Sequence, residues 1–134
     1  MRSQLTTREQ SRPQLFEELD RCRGYIEPAL VHGGGTHDWY DIVSGVCSGH
    51  LQLWPTDNGA VVTEIVTYPR KKVCNIFLGG GDKSEIIALH PQIEAWAKEN
   101  GCLALTISGR KGWIRQLAEK GWKPGLYSVE KELE

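Results

Sequence analysis

The chain has 134 residues, of which 40% are hydrophobic and 25% charged, and its formal net charge is −1. These proportions are typical of a globular domain and exclude a disordered chain, a coiled coil and a collagen-like fibre. No apolar run approaches the roughly 18 residues of a membrane span, and segment 1–14 lacks the apolar core of a secretory signal. We therefore expect one cytoplasmic domain over residues 1–134, with no membrane partner.

The chain begins with two predicted helices. Apolar residues at helical spacing predict a first helix over 8–23, which ends before Gly24. Thr36 is suited to cap a second, short helix, which Gly45 ends.

A predicted hairpin and a third strand follow. Segments 50–54 and 60–68 have strand composition, and the turn between them, 55–59, contains the Asn-Gly pair that is typical of hairpins. Val73–Leu78 is the third strand, and it runs into a turn of three glycines, Gly79–Gly81.

The remaining chain alternates between helix and strand. The predicted elements are a helix over 82–99, a strand over 103–107, a helix over 111–120 and a strand over 126–131. Pro91 should kink or split the first of these helices. The order predicts an α/β (α+β) fold with a mixed central sheet of five to seven strands and helices on both faces. Strands 73–78 and 103–107 should be adjacent and parallel.

The charges are distributed unevenly along the chain. Residues 24–69 contain five acidic side chains and no lysine or arginine, whereas the segments on either side are net positive. Such an arrangement suits a cleft that receives a polyanion on one wall and a cation on the other. The alternative is a solvated surface whose charges are uneven by chance. The basic excess of a nucleic-acid binder is absent, so we expect no nucleic-acid partner.

The cysteines and histidines do not predict a metal or a nucleophile. The four cysteines include no CxxC pair, and the four histidines lack the spacing of a zinc site. We expect reduced, mostly buried thiols and no bound metal. Cys47 lies in a Gly-Val-Cys-Ser-Gly segment, but a nucleophile elbow needs a strand before it and a helix after it. The predicted order here is the reverse.

The glycine segment between strand and helix has two interpretations. Glycines allow a ligand to approach the backbone closely, and N–H groups at a helix start bind anions. Alternatively, Asp82 and Glu85 form a capping box that occupies the same N–H groups. The spacing fits neither a Walker loop nor a dinucleotide fingerprint, although Lys83-Ser84 follows the glycines.

Glu64 is a candidate general base. It alternates with Val62 and Val66 on one face of a predicted strand, and a carboxylate beside apolar neighbours is suited to accept a proton. The alternative is a carboxylate at the strand edge that points into water.

The layout of the chain resembles the GNAT (Gcn5-related N-acetyltransferase) superfamily over about residues 36–131. The hairpin 51–68, the strand, glycines, helix, strand and helix follow the order of that family. The predicted last helix ends in Lys120-Gly121-Trp122, which looks like the Gly-Phe that commonly ends the closing helix of the family.

A narrower resemblance is to compact GNAT-like proteins encoded by tailed phages and prophages. It rests on three glycine-containing stretches: Gly101-Cys102, Gly109-Arg110-Lys111-Gly112-Trp113 and Gly121-Trp122.

The GNAT resemblance implies that acetyl-CoA binds between strands 73–78 and 103–107, with the pyrophosphate at the glycines and the helix start. The residues that it assigns to the cofactor are Phe77, Leu78, Gly79, Gly80, Gly81, Asp82, Lys83, Ser84, Arg110 and Lys111. An amine of a small molecule or a protein would enter the acidic 24–69 region and lose its proton to Glu64. An N–H near Phe77 or Leu78 would stabilise the oxyanion.

The sequence departs from the family in two places. The pyrophosphate loop of the family usually reads Gln/Arg-x-x-Gly-x-Gly/Ala, and no arginine or glutamine leads the glycines here. The tyrosine that protonates the leaving thiolate falls on Leu117, and a frequent asparagine falls on Arg110. Tyr127 is the nearest other candidate acid by sequence. A second hypothesis therefore stays open: a GNAT-shaped phage protein without catalysis, acting as a virion component or a binder of a host protein.

Overall fold

The computed structural model describes residues 12–32, 35–107, 117–125 and 129–133. Its elements are α1 (Arg12–Leu30), α2 (Trp39–Ser48), β1 (Leu51–Thr56), β2 (Gly59–Thr67), β3 (Lys72–Gly81), α3 (Lys83–Ala88), α4 (His90–Glu99) and β4 (Ala104–Ile107). A 3-10 turn at Ala118–Lys120 follows. No helix within these ranges has the length and apolar character needed to cross a membrane.

The four strands form one mixed sheet in the order β1-β2-β3-β4. β1, β2 and β3 are antiparallel neighbours, and β4 pairs with β3 in parallel. The predicted parallel pairing of 73–78 with 103–107 is therefore confirmed. The described ranges contain four strands rather than the expected five to seven. Residues 129–133 form no strand, and 111–116 and 126–128 of the predicted last helix and strand lie outside these ranges.

Helices cover both faces of the sheet, as the order of elements predicts. On one face, α1 and α2 pack against β1 and β2 through a core that includes Leu19, Ile26, Ile42, Leu53 and Val62. On the other face, α4 packs through a second core that includes Trp54, Val61, Cys74, Leu89 and Ile93. β1, β2 and β3 thus alternate their side chains between two apolar layers, whereas β4 contributes Leu105 to the second core.

α1 is longer than the sequence pattern predicts. Instead of ending before Gly24, it continues to Leu30, because Ile26 and Leu30 extend its buried stripe toward the sheet. Gly24 lies on the exposed side of the helix. The roughly 1 kcal/mol that a helical glycine costs is smaller than the gain from burying two large aliphatic side chains.

α2 is also displaced from its predicted bounds. Its cap is Asp38, not Thr36, and Asp38 forms a capping box with Asp41. The helix passes through Gly45 and ends at Gly49, which adopts a left-handed φ of 86°. Gly45 therefore lies inside the helix and does not end it. A Cβ at this position would lie 2.5 Å from Leu51 Cδ1, so the glycine lets α2 approach β1 closely.

The three glycines at 79–81 are part of β3 and do not form the predicted turn. Gly79, Gly80 and Gly81 pair with Val61, Ala60 and Gly59 of β2. The hairpin strands are likewise longer than predicted, so that only Asp57 and Asn58 separate them. The predicted helix 82–99 is split into α3 and α4, with Pro91 in the first turn of α4, as expected from its missing N–H.

The described pairing of β3 with β4 ends in the middle of β3. Their last pair is Ile76 with Ile107, and beyond it no described residue pairs with β3 on that side. At the same level the β2–β3 register shifts, and Phe77 is the extra residue of a bulge. A bulge bends its strand and leaves backbone groups unpaired. Phe77 therefore lies at a bend of β3, next to the end of the described pairing with β4.

Candidate active site

A cavity of about 630 Å³ lies beside this part of the sheet, and we call it the strand cleft. Phe77, Leu78 and Gly79 of β3 line it, as does Ile107 of β4. Residues from α1, α3 and α4 complete its walls, so the cleft reaches both faces of the sheet.

The structure brings together part of the predicted site. Glu64, Phe77, Leu78 and Gly79 line the strand cleft. The segment 80–84 does not line it. The predicted Arg110, Lys111 and Tyr127 lie outside the described residues.

The start of α3 is occupied by protein contacts. Asp82 accepts a hydrogen bond from the Glu85 N–H at 3.1 Å and from the Ser84 hydroxyl. Its own N–H donates to Asn58 O at 2.9 Å. The Ser84 hydroxyl, together with backbone N–H groups, holds the pKa of Asp82 below its usual range. At least two of the amides proposed for an anion therefore already have acceptors.

Glu85 does not complete the predicted capping box. Its carboxylate accepts instead from the backbone N–H and the side-chain amide of Asn58, both at 2.8 Å. These bonds hold the pKa of Glu85 below its usual range. Hydrogen bonds thus connect the first turn of α3 to the β1–β2 turn, so the start of this helix has a structural role.

Glu64 is half-buried and hydrogen-bonded. Asn75 Nδ2 donates to Glu64 Oε1 at 3.0 Å, and Asn75 Oδ1 accepts from the Thr106 hydroxyl at 2.9 Å. Val62, two residues earlier on the same strand face, is fully buried, and Val66, two residues later, is half-buried. Sequence reasoning missed Asn75 and Thr106 as members of the site, because only the strand register places them beside Glu64.

A second cavity of about 420 Å³ lies between α2 and the sheet, and we call it the α2 pocket. Its polar lining includes Asp41, His37, His50 and Ser48. Thr36 and Glu64 line the α2 pocket as well, and both residues also line the strand cleft. The two cavities therefore adjoin, with acidic residues of the 24–69 region in the smaller one.

The wall of the strand cleft opposite α1 includes His90, Leu117 and Trp122. The rings of His90 and Trp122 lie 5.3 Å apart, and His90 Nε2 is 3.6 Å from a carboxylate oxygen of Glu94. The Trp122 indole nitrogen is buried and has no hydrogen-bond partner in the part of the chain that the structure describes. Buried donors of this kind are rare in folded proteins. The sequence pattern marked Trp122 only as the end of the Lys120-Gly121-Trp122 segment and not as a member of the site.

The thiols and acidic side chains form no further site. Burial raises the pKa of Cys74 to about 12 and also raises the pKa of Cys102. Cys47 is half-buried at the end of α2, which a strand follows, so the geometry of a nucleophile elbow is not met. Within the described ranges, no group of three or more potential ligands is placed to hold a metal.

Comparisons with solved structures relate this architecture to acetyltransferases. A GNAT family acetyltransferase of Staphylococcus aureus matches 98% of this chain and 100% of its own, with a TM-score of 0.62 and 14% identity. A GCN5-related N-acetyltransferase of Ralstonia eutropha matches 87% of this chain and 93% of its own, with a TM-score of 0.61 and 14% identity. An acetyltransferase of Trypanosoma brucei matches 83% of this chain and 94% of its own, with a TM-score of 0.57 and 12% identity.

Sequence comparison finds no such likeness: no family model matches the chain, and neither does any curated protein. The structural matches cover nearly the whole length of both partners, and the mixed sheet with helices on both faces agrees with them. This chain therefore has the fold of the GNAT acetyltransferases.

Proposed function

We propose that the protein is an acyl-CoA-dependent N-acyltransferase, which transfers an acetyl group from acetyl-CoA to a primary amine. The observation that carries the proposal is the position of Glu64, which lines both the strand cleft and the α2 pocket. If a thioester and an amine meet at this junction, the base that the reaction needs is already there. The GNAT fold supports the proposal by analogy.

The α2 pocket is the proposed site of the amine. Asp41 and Glu64 give it negative charge, which attracts a protonated amine of a small molecule or a protein. Glu64 then accepts the proton, directly or through water, and frees the nitrogen lone pair for attack on the thioester carbonyl.

The strand cleft is the proposed site of acetyl-CoA, which supplies the thioester. Two observations support the fit: the volume of the cleft and the buried Trp122 N–H. The backbone of β3 at the Phe77 bulge is the proposed partner of the pantetheine amides. For the phosphates we propose Lys83, which is exposed at the start of α3, with Arg110 and Lys111.

The bulge at Phe77 is the proposed place of oxyanion stabilisation. A bulged residue leaves the regular ladder, so an N–H of Phe77 or Leu78 is suited to donate to the negative charge that develops on the thioester oxygen. Donors of this type are worth about 10²–10³-fold in turnover.

No proton donor for the leaving thiolate is present at position 117, where the family usually has a tyrosine and this chain has Leu117. That side chain lines the cleft but carries no proton, so we propose that water or Tyr127 supplies one. General-acid assistance contributes about 10²–10⁴-fold, and we therefore expect slow turnover.

The alternative is a GNAT-shaped protein without catalysis, such as a phage virion component or a binder of a host protein. Two observations favour it: Leu117 replaces the usual acid, and protein acceptors occupy the Asp82 and Glu85 amides. Binding and turnover measured on the same preparation separate the two candidates.

The first experiment is calorimetric titration with acetyl-CoA and desulfo-CoA, followed by thiol-release assays with polyamine, lysine-peptide and aminoglycoside acceptors. The acyltransferase proposal expects binding of both nucleotides and acceptor-dependent thiol release. Binding without thiol release supports the non-catalytic alternative, and no binding at millimolar concentration overturns the cofactor assignment.

The second experiment compares Glu64→Gln with Glu99→Gln, which changes an exposed carboxylate at the end of α4. We expect Glu64→Gln to lower kcat by about 10²-fold or more while the affinity for acetyl-CoA is retained. Glu99→Gln should match the wild type. Equal loss in both variants contradicts the assignment of Glu64 as the base.

A further inference from the structure

We infer that Asn75 and Thr106 are positioning residues, which hold the Glu64 carboxylate in one orientation at the junction of the two cavities. The inference rests on the proposed function, because it concerns the base of that reaction. It assigns a role to two side chains on the strands that border the cleft.

The strand register places the three residues in one row. Glu64 of β2 is directly opposite Asn75 of β3, and Asn75 is directly opposite Thr106 of β4. Side chains directly opposite each other on neighbouring strands share one face of the sheet and lie within contact distance. The row continues on β1 with Leu51. The polar side chains are therefore confined to the strands that approach the cleft.

The hydrogen bonds in the row all point toward Glu64. The Thr106 hydroxyl donates to Asn75 Oδ1 at 2.9 Å, which leaves the Asn75 amide nitrogen to donate to Glu64 Oε1 at 3.0 Å. The reversed amide would direct its oxygen at a carboxylate, where both atoms are acceptors. Thr106 thus fixes the orientation of Asn75, and Asn75 fixes that of Glu64.

This arrangement leaves one carboxylate oxygen for proton transfer. The bond from Asn75 engages Oε1, and among the described residues Oε2 has no hydrogen-bond donor. The row is adjacent to Ile76 and Ile107, the last described pair of β3 with β4, and Glu64 and Asn75 both line the strand cleft. The oriented carboxylate is therefore fixed next to the place where the proposed thioester enters.

The geometry predicts how each substitution acts. Asn75→Leu removes the donor, so the carboxylate loses its fixed orientation and kcat should fall by between about 10- and 100-fold. Thr106→Val removes only the hydroxyl and keeps the shape, so a smaller loss of about threefold to tenfold is expected. Thr106→Ser keeps the hydroxyl and should restore the wild-type rate.

Asn75→Asp supplies a readout that a purely structural role would not move. It places a second carboxylate against Glu64, and two carboxylates that share a site do not both ionise readily. The acidic limb of the pH–rate profile should therefore move to higher pH by about one unit or more. The other titratable residues that line the two cavities are His32, His37, Asp41, His50 and His90, and all are retained in these variants.

The test measures kcat, KM and the pH–rate profile of the four variants, with calorimetric affinity for acetyl-CoA as the control. We expect kcat to fall in Asn75→Leu and Thr106→Val, with serine rescue at 106 and unchanged acetyl-CoA affinity. If the wild type transfers acetyl groups and these variants equal it, the inference is wrong while the proposed function stands. If the wild type binds acetyl-CoA without releasing thiol, the proposed function fails and the inference fails with it. Should Asn75→Leu not fold, the exposed position 106 decides alone.

Discussion

A side chain at Gly80 would run directly into the backbone carbonyl of Tyr25, because β3 and α1 touch at this point. At the neighbouring Gly79 an added Cβ would have ordinary contacts only, 3.8 Å from Val61 Cγ2 and 3.9 Å from Ile86 Cδ1. Gly79 lines the strand cleft, whereas Gly80 does not. One glycine is thus required by packing, and the other leaves room in the cleft.

This difference predicts opposite effects of two adjacent substitutions. Gly80→Ala should lower the free energy of unfolding by about 1–3 kcal/mol, because backbone atoms must shift. Gly79→Ala should fold normally but weaken acetyl-CoA binding, since the methyl group narrows the cleft. Thermal melting and calorimetric titration of both variants check this. A Gly80→Ala variant that melts with the wild type would contradict the packing argument.

Leu117→Tyr should raise the turnover of the proposed reaction. Leu117 is buried in the wall of the strand cleft, so a phenol there is placed to protonate a leaving thiolate. A gain of up to about 10²–10⁴-fold is the range of general-acid assistance. The new hydroxyl needs a partner, and a stability loss of about 1–3 kcal/mol is expected. Leu117→Phe is the matched control, and equal turnover in both variants would rule out acid catalysis from this position.

Acidification should weaken the contact between α3 and the β1–β2 turn. Asn58 holds the pKa of Glu85 below its ordinary value of 4.5, so the ionised form stabilises the folded state. This contribution is complete above that ordinary value and is lost as the pH falls through the lower folded pKa. In urea unfolding, Glu85→Gln should be less stable than the wild type at about pH 6, and the difference should shrink toward about pH 3. A difference that is independent of pH would contradict the role of the charge.

Most thiols of the native protein should be unreactive. Cys22, Cys74 and Cys102 are buried, and burial raises the pKa of Cys74 to about 12. Because the thiolate is the reactive form, Ellman's reagent at about pH 8 should modify only the half-buried Cys47 before unfolding. Denaturant should release all four thiols, and Cys47→Ser should remove the fast reaction. A second thiol that reacts quickly in the native state would contradict the packing around β3.

Elements with a local signal were predictable from sequence. The hairpin follows from two β-rich segments around Asn58-Gly59, and the division of α3 from α4 follows from Pro91, which lacks an N–H. The parallel pairing of β3 with β4 follows from the strand–helix–strand order. The first two features depend on residues that are close together in the chain, and the third depends on the order of the elements.

Features that depend on tertiary contact were not predictable in this way. Gly24 looks like a helix end, but the apolar stripe that continues to Leu30 extends α1. The glycines 79–81 look like a turn, but α1 and the β1–β2 turn approach β3 so closely that two of them leave no room for a side chain.

The residues of the candidate site also differ in whether they could be predicted from the sequence. Glu64 could be predicted from its alternation along one strand, and Phe77 and Gly79 from the resemblance to the GNAT order of elements. Asn75 and Thr106 could not, because their role depends on the register between strands. Trp122 ends a segment that resembles the family, but its place in the cleft depends on tertiary contact.

The spatial order of the strands repeats their order along the chain, and this has a consequence for how the site is assembled. The first two pairings are closed by short turns and cost little chain entropy, whereas β4 returns to the sheet only after α3 and α4. Local contacts form readily, and the pairing of β4 is the non-local one. Because β4 provides one wall of the strand cleft, we expect the cleft to be completed only when β4 joins the sheet. In the part of the chain that the structure describes, this wall is held to β3 by four residue pairs, so we expect it to open early in local unfolding.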